Sequence, residues 1–445
     1  MLRLRNAANP AGCIKSPLLI SGIASALLSG VLITLAACSK PSPEVPPVAT
    51  APETVITALI WAPDWPDAMH RTAEAFHVLH PNLRVNLQFM IGNSVEENLK
   101  PRIAANHLPD LVSVNPNRYA AGLAEQGILI DLGDSPAWVD MLDNLKPDWT
   151  SERNQHFGLS GGVAATLMYY NKNMFLRAGI KTPPRNFDEF LLVCERLKKA
   201  GMTPLMWYGG FPNMLGNGPF SAGFANNFVV QEPRWKRRIA DGSLDFDMPA
   251  GTDIFGKMRL LAERGYVQDD YLTTGYDAGI RMFTEGKVAM VFHGTWAAGR
   301  LMHGDGFVTD VFVPPWNAAG KIAVPVLGSE TGFAVTATPN RAAAMQLLEF
   351  MMGAGFSIQQ NIRQNMAPMK NPQGTMAGDP LIAAYIRKIS SAPVTASPYY
   401  SFLPAASIEL SHTLMQDVLS YKITPQQAAR ALDQSIKNEA LVKNK

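Results

Sequence analysis

Aromatic and acidic residues stand side by side in the segment Trp61-Ala62-Pro63-Asp64-Trp65, directly after an apolar run. Aromatic rings cover flat C–H faces of a ligand, whereas carboxylates and amides pair with its hydroxyl groups. The combination therefore indicates non-covalent binding, with an ordinary surface loop as the alternative. Further groups of this kind are Trp207-Tyr208-Gly209-Gly210, Asn226-Asn227 and Tyr399-Tyr400.

Most motifs of common catalytic sites are absent from the sequence. The eight histidines are scattered, and there is no H-E-x-x-H, no C-x-x-C and no dense carboxylate cluster for zinc or calcium. A P-loop and a Rossmann fingerprint are also missing. Gly158-Leu159-Ser160-Gly161-Gly162 superficially resembles a nucleophile turn, and a serine hydrolase is the alternative that this segment leaves open. We therefore expect no catalytic residue, no metal site and no cofactor, and a protein that is not an enzyme.

A long apolar segment near the N-terminus, from Pro17 to Ala37, follows three basic residues and ends at Cys38. This order of a positive region, an apolar stretch and small residues before a cysteine is typical of an export signal cut before a lipid-modified Cys. We predict that residues 1–37 are a signal peptide and that Cys38 is lipidated. The alternative is an uncleaved transmembrane anchor, since about twenty apolar residues can span a bilayer. In both cases the remaining chain lies outside the cytoplasm.

Removal of the leader changes the charge and the cysteine content of the chain. The formal net charge falls from +2 to −1, so a basic field for nucleic acid is not expected. Cys194 becomes the one cysteine left beside the lipidated Cys38, which leaves no intramolecular disulfide. Residues 38–54 are rich in proline and predict a semi-rigid tether. The 408 residues from Cys38 onward are more than one hydrophobic core usually covers, which favours two domains.

Strand and helix patterns alternate from Val55 onward. In a parallel sheet, such an order places the loops after the strands at the carboxyl edge, where open α/β sheets bind ligands. We predict a late helix that starts with a capping box at Thr424 and Gln427. The predicted strands are 55–60, 85–89, 111–114, 163–170, 288–292 and 332–336. The predicted helical stripes are Met69, Ala73, Phe76 and Leu79; Val95, Leu99 and Ile103; Phe187, Phe190, Leu191, Cys194 and Leu197; and Ala344, Leu347, Leu348 and Met351.

Four segments, in the expected order, give the chain a family resemblance. From Val55 to about Asn438 it resembles extracellular solute-binding proteins that deliver sugars to ABC importers, the maltodextrin-binding and glycerol-3-phosphate-binding relatives. Asn186-Phe187 stands where the family pattern has Thr-Trp, at a helix start. The matching segments are Pro109-Asp110-Leu111-Val112 with Gly127–Leu132; Tyr169-Tyr170-Asn171-Lys172-Asn173-Met174-Phe175; Ala178-Gly179-Ile180 with Pro183–Phe190; and Phe283–Met290 with Gly294-Thr295-Trp296.

The resemblance implies an α/β fold of two lobes joined by a hinge, the type II fold of periplasmic binding proteins, with a ligand cleft between the lobes. We expect the first lobe at 55–162 and 324–365, and the second at 163–323 and 366–445. Closure of the lobes on the ligand would be the functional motion, because both lobes contact the ligand only in the closed form.

The resemblance also implies which residues bind the ligand. The tryptophan corresponding to Trp296 stacks on the ligand in relatives, although core packing is an alternative. Asn115, Asn117 and Arg118 resemble the polar contacts of the family, with capping of the following helix as the alternative. Glu330 is either a cleft residue or a solvated loop carboxylate. The full set of predicted ligand contacts is Trp61, Asp64, Trp65, Asn115, Asn117, Arg118, Trp207, Trp296, Glu330 and Tyr400; Trp138, Trp149, Trp235 and Trp316 are expected in packing roles.

The predicted function is capture of a sugar or oligosaccharide outside the cytoplasm and its delivery to an ABC importer. The expected partners are the sugar, the permease subunits of the importer and, through the N-terminal lipid, a membrane; a monomer without nucleic acid is expected. The alternatives are a carrier of another solute (a polyol, glycerol phosphate, or ferric iron held by Tyr399-Tyr400) and a lipoprotein enzyme.

Overall fold

The computed structural model describes residues 53–91, 95–363, 366–371 and 379–443, with backbone alone for 361, 387, 442 and 443. The predicted signal peptide, Cys38 and all but two residues of the predicted tether lie outside the described residues. Within the described ranges, no helix combines the length and the apolar character that a membrane crossing needs.

The described strands form two separate β-sheets. The first sheet has the order β2-β1-β3-β9, in which β1 is parallel to β2 and β3, and β9 runs antiparallel to β3. In the second sheet the order is β5-β6-β4-β7, and β8 also pairs with β4. The strands are β1 (Thr54–Ile60), β2 (Leu83–Phe89), β3 (Leu111–Val114), β4 (Val163–Asn171), β5 (Thr203–Met206), β6 (Val288–Gly294), β7 (Thr309–Phe312), β8 (Val326–Ser329) and β9 (Gly332–Val335).

Helices flank both sheets, which confirms the predicted α/β class. We call the first sheet with α1–α4, α13 and α14 the first lobe, and the second sheet with α5–α12 and α15–α17 the second lobe. The helices are α1 (Pro66–Leu79), α2 (Val95–Ala104), α3 (Arg118–Glu125), α4 (Pro136–Asp140), α5 (Lys172–Arg177), α6 (Phe187–Lys199), α7 (Asn213–Leu215), α8 (Ser221–Phe224), α9 (Trp235–Ala240), α10 (Pro249–Glu263), α11 (Tyr276–Thr284), α12 (Ala298–Leu301), α13 (Arg341–Met352), α14 (Phe356–Arg363), α15 (Pro380–Ser390), α16 (Ala405–Leu419) and α17 (Pro425–Lys443).

Strand β4 is the centre of the second sheet. All nine of its residues are buried; its first half pairs with β8 and its second half with β7, while β6 covers the other edge. A strand buried on both faces needs a continuous apolar run, which is the pattern that predicted it. The predicted boundary at residue 324 assigned β8 to the first lobe, whereas the hydrogen bonds of β8 lie in the second sheet.

Two short connections join the sheets and run side by side. Residues 160–162 lead from the first lobe into β4, and residues 330–331 lead from β8 back to β9. The backbone amides of Leu159 and Phe333 each donate to the other residue's carbonyl at 2.9 Å, and the amide of Glu330 donates to Gly162 at 3.0 Å. The connections approach so closely that a Cβ atom on Gly161 would overlap the carbonyl oxygen of Thr331. Each connection therefore satisfies backbone groups of the other.

Local sequence signals explain where α6 begins and which face it buries. The Asn186 side chain accepts the amide of Glu189 at 3.0 Å, so Asn serves as well as Thr at this N-cap position. The predicted stripe of Phe190, Cys194 and Leu197 is buried in the second lobe. Burial raises the pKa of the Cys194 thiol. The four tryptophans assigned to packing, Trp138, Trp149, Trp235 and Trp316, are also buried.

The predicted apolar face of α1 is partly wrong. Met69 and Phe76 are buried, but Leu79, the last residue of the helix, is 63% exposed. Thr72 takes the place on the buried face between Met69 and Phe76, and its hydroxyl donates to the carbonyl of Ala68 at 2.7 Å. A polar residue is tolerated on this face because its hydrogen bond is made within the helix.

The capping box at the start of α17 is confirmed and can be tested. The amide of Gln427 donates to the Thr424 hydroxyl at 3.2 Å, and the Gln427 side chain accepts the amide of Thr424 at 2.8 Å. Thr424→Ala should lower the free energy of unfolding by about 1 kcal/mol, because one amide loses its acceptor. Thr424→Ser keeps the hydroxyl and should stay near the wild type. Urea unfolding followed by circular dichroism measures both, and equal loss in the two variants would contradict the capping role.

Candidate functional site

A small cavity of about 90 Å³ lies between the two lobes. The first lobe contributes the loop after β1 and the residue after β3, while the second lobe contributes residues of α7, the turn after it, α11 and the turn after β6. The connection at 330–331 and the end of α14 close one side. The lining residues are Trp61, Pro63, Asp64, Trp65, Val95, Asn115, Phe211, Asn213, Met214, Asn217, Tyr276, Trp296, Glu330, Thr331, Arg363 and Tyr400.

The parallel pairing of β1 and β3 brings the first-lobe residues together. Leu59 pairs with Val112, so both strands end at the same edge of the sheet. The amide of Trp61 then donates to the Ser113 hydroxyl at 2.9 Å, which holds the loop after β1 against β3. Seven of the ten predicted ligand contacts line the cavity: Trp61, Asp64, Trp65, Asn115, Trp296, Glu330 and Tyr400.

Asp64 links the two lobes across the cavity. Its carboxylate accepts Arg300 Nη1 at 2.8 Å and the Tyr276 hydroxyl at 2.5 Å, and both donors belong to the second lobe. Arg300 also binds Asp277 at 2.8 Å. Burial raises the pKa of Asp64, while the bonds from Tyr276 and Arg300 act in the opposite direction. Both carboxylate oxygens are therefore engaged by the protein.

Glu330 and Arg363 form a second pair of opposite charges, buried at the side of the cavity. The Arg363 Nη2 atom binds the Glu330 carboxylate, and its Nη1 atom donates to the carbonyl of Gly161 at 2.6 Å. The ring of Trp65 covers the guanidinium with a distance of 4.1 Å from Cζ to the ring centre. Glu330 is thus a buried, paired carboxylate, not a solvated one.

Trp296 presents its ring to the cavity from a tight turn after β6. Its Nε1 atom donates to the Tyr276 hydroxyl at 3.2 Å. The ring lies directly on Gly294, where a Cβ atom would overlap it. A glycine is required here because of this close approach.

The amide side chains of the cavity differ in their remaining hydrogen-bonding capacity. Asn115 accepts the Thr331 hydroxyl at 2.6 Å and donates to Glu96 at 3.2 Å. Asn217 donates to Asn213 at 2.7 Å, but its Oδ1 atom is buried without a hydrogen-bond partner in the described chain. An unpartnered buried acceptor is costly, so Asn217 is suited to accept a hydroxyl group of a ligand.

Three predicted contacts lie away from the cavity. Asn117 caps α3 by accepting the amide of Ala120 at 3.1 Å, which is the alternative the sequence left open. Arg118 donates to the carbonyl of Ala240 at 3.2 Å and borders a separate groove of about 700 Å³. Trp207 is buried and stacks on Phe292 with 5.6 Å between the ring centres. Trp207 directly follows β5, so its large apolar ring packs in the core of the lobe and does not reach the cavity.

The remaining candidates also have structural partners. Asn226 accepts the amide of Val324 at 3.0 Å, and the Asn227 side chain donates to Asp253 at 2.9 Å. The Tyr399 hydroxyl bonds to His412 at 2.7 Å, whereas the Tyr400 hydroxyl donates to the carbonyl of Ser329 at 2.9 Å. The adjacent tyrosines therefore point to different surroundings.

The prediction missed several residues at the cavity, most of them from the second lobe. Phe211, Asn213, Met214, Asn217, Tyr276 and Arg363 line it, and Arg300 acts through Asp64. Tyr276 follows Gly275 at the start of α11, and neither residue belongs to a recognisable motif. For Phe211 and Asn213 the sequence held a hint, because they lie within three residues of the aromatic group Trp207–Gly210.

His293 lies beneath the aromatic side of the cavity. The ring is fully buried on β6, with its centre 5.3 Å from that of Tyr276 and 5.7 Å from that of Trp296. Burial lowers the pKa of His293 to about 3. The imidazole is therefore neutral at pH 7 and packs against the aromatic rings that line the cavity.

Comparison with known proteins identifies the family of this chain. Residues 62–356 match the family model described as bacterial extracellular solute-binding protein. The melibiose/raffinose/stachyose-binding protein MelE of Bacillus subtilis is 25% identical over 276 residues, which are 60% of this chain and 61% of MelE. A multiple sugar-binding protein of Streptococcus mutans is 24% identical over 54% of each chain. The matched region thus spans less than two thirds of these two relatives.

Solved structures show the same fold over a longer stretch. A chitin oligosaccharide binding protein superposes with a TM-score of 0.76 at 21% identity, covering 87% of this chain and 99% of the other. RafE in complex with raffinose gives a TM-score of 0.74 at 20% identity, with the same coverage. The predicted two-lobe type II fold is confirmed.

The close packing of Trp296 on Gly294 predicts the effect of a single methyl group. Gly294→Ala should force the Trp296 ring out of its place and lower the free energy of unfolding by about 1–3 kcal/mol, the usual cost of overpacking. Near-ultraviolet circular dichroism reports the ring displacement. Gly256→Ala is the matched control, because a Cβ atom there meets nothing within 4 Å in α10. An unchanged aromatic spectrum in Gly294→Ala would contradict the packing.

Burial of neutral histidine predicts a pH dependence of stability. Between the ordinary pKa of 6.5 and the folded value of about 3, the unfolded chain binds a proton at His293 that the folded chain does not. Stability is therefore complete above pH 6.5 and falls with decreasing pH, by at most about 1.4 kcal/mol per pH unit from this residue. His293→Gln should make the fall between pH 6 and pH 4 shallower by that amount.

Denaturant unfolding across this pH range measures the slope of the unfolding free energy against pH for the wild type and for His293→Gln. Equal slopes in the wild type and in His293→Gln would refute the neutral buried state.

Proposed function

Because the chain belongs to the bacterial extracellular solute-binding protein family, we propose that it binds an uncharged sugar or short oligosaccharide between its lobes and delivers it to an ABC importer. The observation that carries the proposal is the charge balance of the cavity. Asp64 is paired with Arg300, and Glu330 with Arg363. A site whose charges neutralise each other leaves no net attraction for an ionic solute.

The cavity lining suits a sugar in its other features as well. Trp61, Trp65, Tyr276, Trp296 and Tyr400 offer aromatic surface for C–H faces. The buried Oδ1 atom of Asn217 offers an acceptor for a hydroxyl group. Glycerol phosphate would require an unpaired cation beside the phosphate, so the charge balance favours a neutral ligand over it.

Ferric iron fits the site less well than a sugar. Tyr399 and Tyr400 bond to different partners, and burial raises the pKa of both hydroxyls well above the ordinary range. Iron ligation needs the deprotonated oxygen. In the part of the chain that the structure describes, no three His, Cys, Asp or Glu side chains are grouped for a metal ion.

Separation of the lobes is the motion we propose for ligand exchange. The cavity of about 90 Å³ is smaller than the roughly 300–1,000 Å³ of typical small-molecule sites, so a sugar enters only when the lobes part. Polar contacts cross between the lobes: Asp64 with Arg300 at 2.8 Å, and Asp148 with Lys236 at 3.3 Å. Both carboxylates are largely buried, whereas the cations are partly open to solvent, so opening would exchange each of these bonds for hydrogen bonds to water.

We also propose that the carrier works as a monomer tethered outside the cytoplasm by lipid on Cys38. Support comes from the leader pattern and from the family, whose members are described as extracellular. The protein binds its ligand without transforming it, as solute-binding proteins do.

A thermal-shift series tests the ligand class. Melibiose, raffinose, lactose and maltose are compared with glycerol 3-phosphate and ferric ion. A sugar at a hundred times its Kd should stabilise the folded protein by about 2.7 kcal/mol, because only the folded state binds it. A shift with glycerol 3-phosphate or iron, and with none of the sugars, would reject the proposal.

Loss of the Trp296 ring should weaken binding of the best sugar. Trp296→Ala should cost at least about 1 kcal/mol, or roughly a fivefold rise in Kd measured by calorimetry, because a stacking surface is removed. Trp138→Phe, on a ring that packs against His156 away from the cavity, should leave Kd unchanged. Equal affinity of Trp296→Ala and the wild type would remove Trp296 from the site.

A further inference from the structure

Arg363 is a fully buried arginine at the junction of three chain segments. It is the last residue of α14, and it is 2% exposed. One arm of its guanidinium donates to Gly161, in the connection that leads into β4, and the other binds Glu330, in the connection that leads out of β8. A single planar group thus bridges both connections between the sheets and fixes them to a first-lobe helix.

The same guanidinium faces the cavity. Arg363 is one of the lining residues, and Trp65, also lining, stacks on it while meeting Phe333 of β9 edge to face at 6.5 Å. A ligand that presses on Trp65 therefore presses on a group that is bonded to both connections. The backbone bonds between Leu159 and Phe333 lie immediately beside this junction.

We propose that Arg363 is a positioning residue that couples occupancy of the cavity to the relative position of the two lobes. The coupling rests on the proposed function, because it assumes that lobe closure accompanies binding. Arginine is required for its shape: two N–H groups diverge in one plane and reach Gly161 and Glu330 together, whereas a lysine ammonium can serve one of them at this depth. The stacked Trp65 keeps that plane in place.

The test must separate coupling from simple loss of stability. Removing Arg363 alone takes a paired positive charge away from the buried carboxylate of Glu330, which is strongly destabilising. The double variant Arg363→Met/Glu330→Gln removes both charges and should keep a melting temperature near that of the wild type. Arg363→Lys keeps the charge beside Glu330 and serves as the second variant should the double variant not fold.

A matched control exists on α10. Arg259 also binds one glutamate, Glu263 at 2.8 Å, and one backbone carbonyl, that of Ile423 at 3.2 Å, but it does not line the cavity. Arg259→Met/Glu263→Gln removes the same groups and should change neither readout below.

Two readouts are measured on each purified protein. Amide hydrogen exchange in peptides covering 157–166 and 326–335, without sugar, reports the pairing of the connections, and calorimetry reports Kd for the tightest binder among melibiose, raffinose and lactose. In the double variant, the amides of both peptides should exchange at least about tenfold faster than in the wild type, and the Kd for the sugar should be at least about tenfold higher. Arg363→Lys should be intermediate in both quantities.

The outcomes are distinct. Wild-type exchange in both variants would overturn the inference, whether or not affinity falls, because Arg363 would then be a ligand contact alone. Faster exchange with unchanged affinity would overturn it as well, since the connections would not be coupled to binding. If the wild type binds none of the sugars, the proposed function fails separately from the exchange result.

Discussion

The two connections between the sheets are the constraint on which the rest of the structure depends. Each passes through a buried region where its amides and carbonyls must find partners, and they find them in one another, through Leu159 with Phe333 and Glu330 with Gly162. This pairing fixes β4 and β9 relative to each other, and with them the loops that form the cavity. Because these connections are only two or three residues long, they hold the ends of β4, β8 and β9 close together.

The charged residues at this cavity pair with one another within the protein. Asp64 reaches across the cleft to Arg300 and Tyr276, and Glu330 is held by Arg363 under the ring of Trp65. Buried pairs of this kind add little stability, since desolvation offsets their attraction, but they fix geometry. The aromatic rings are then presented at set positions, and Asn217, whose buried Oδ1 atom has no partner in the described chain, lines the same cavity.

How far the sequence predicts this site depends on the distance along the chain that a contact spans. Strands β1, β3 and β4 are apolar runs, and the parallel-sheet rule then predicted Trp61, Asp64 and Trp65 at the edge of the sheet where the cavity lies. Contacts of the second lobe were missed because they depend on packing between lobes: Tyr276 and Arg300 lie 212 and 236 residues from Asp64. Asn117 was open to two interpretations, and a local hydrogen bond three residues away decides for capping.

The burial of Cys194 has a consequence for life outside the cytoplasm. Its thiol lies on the buried face of α6, and the same burial that raises its pKa keeps the sulfur in the unreactive, protonated form. Thiol–disulfide exchange requires an accessible thiolate. Folded copies crowded together in an oxidising compartment will therefore not become disulfide-linked through this residue.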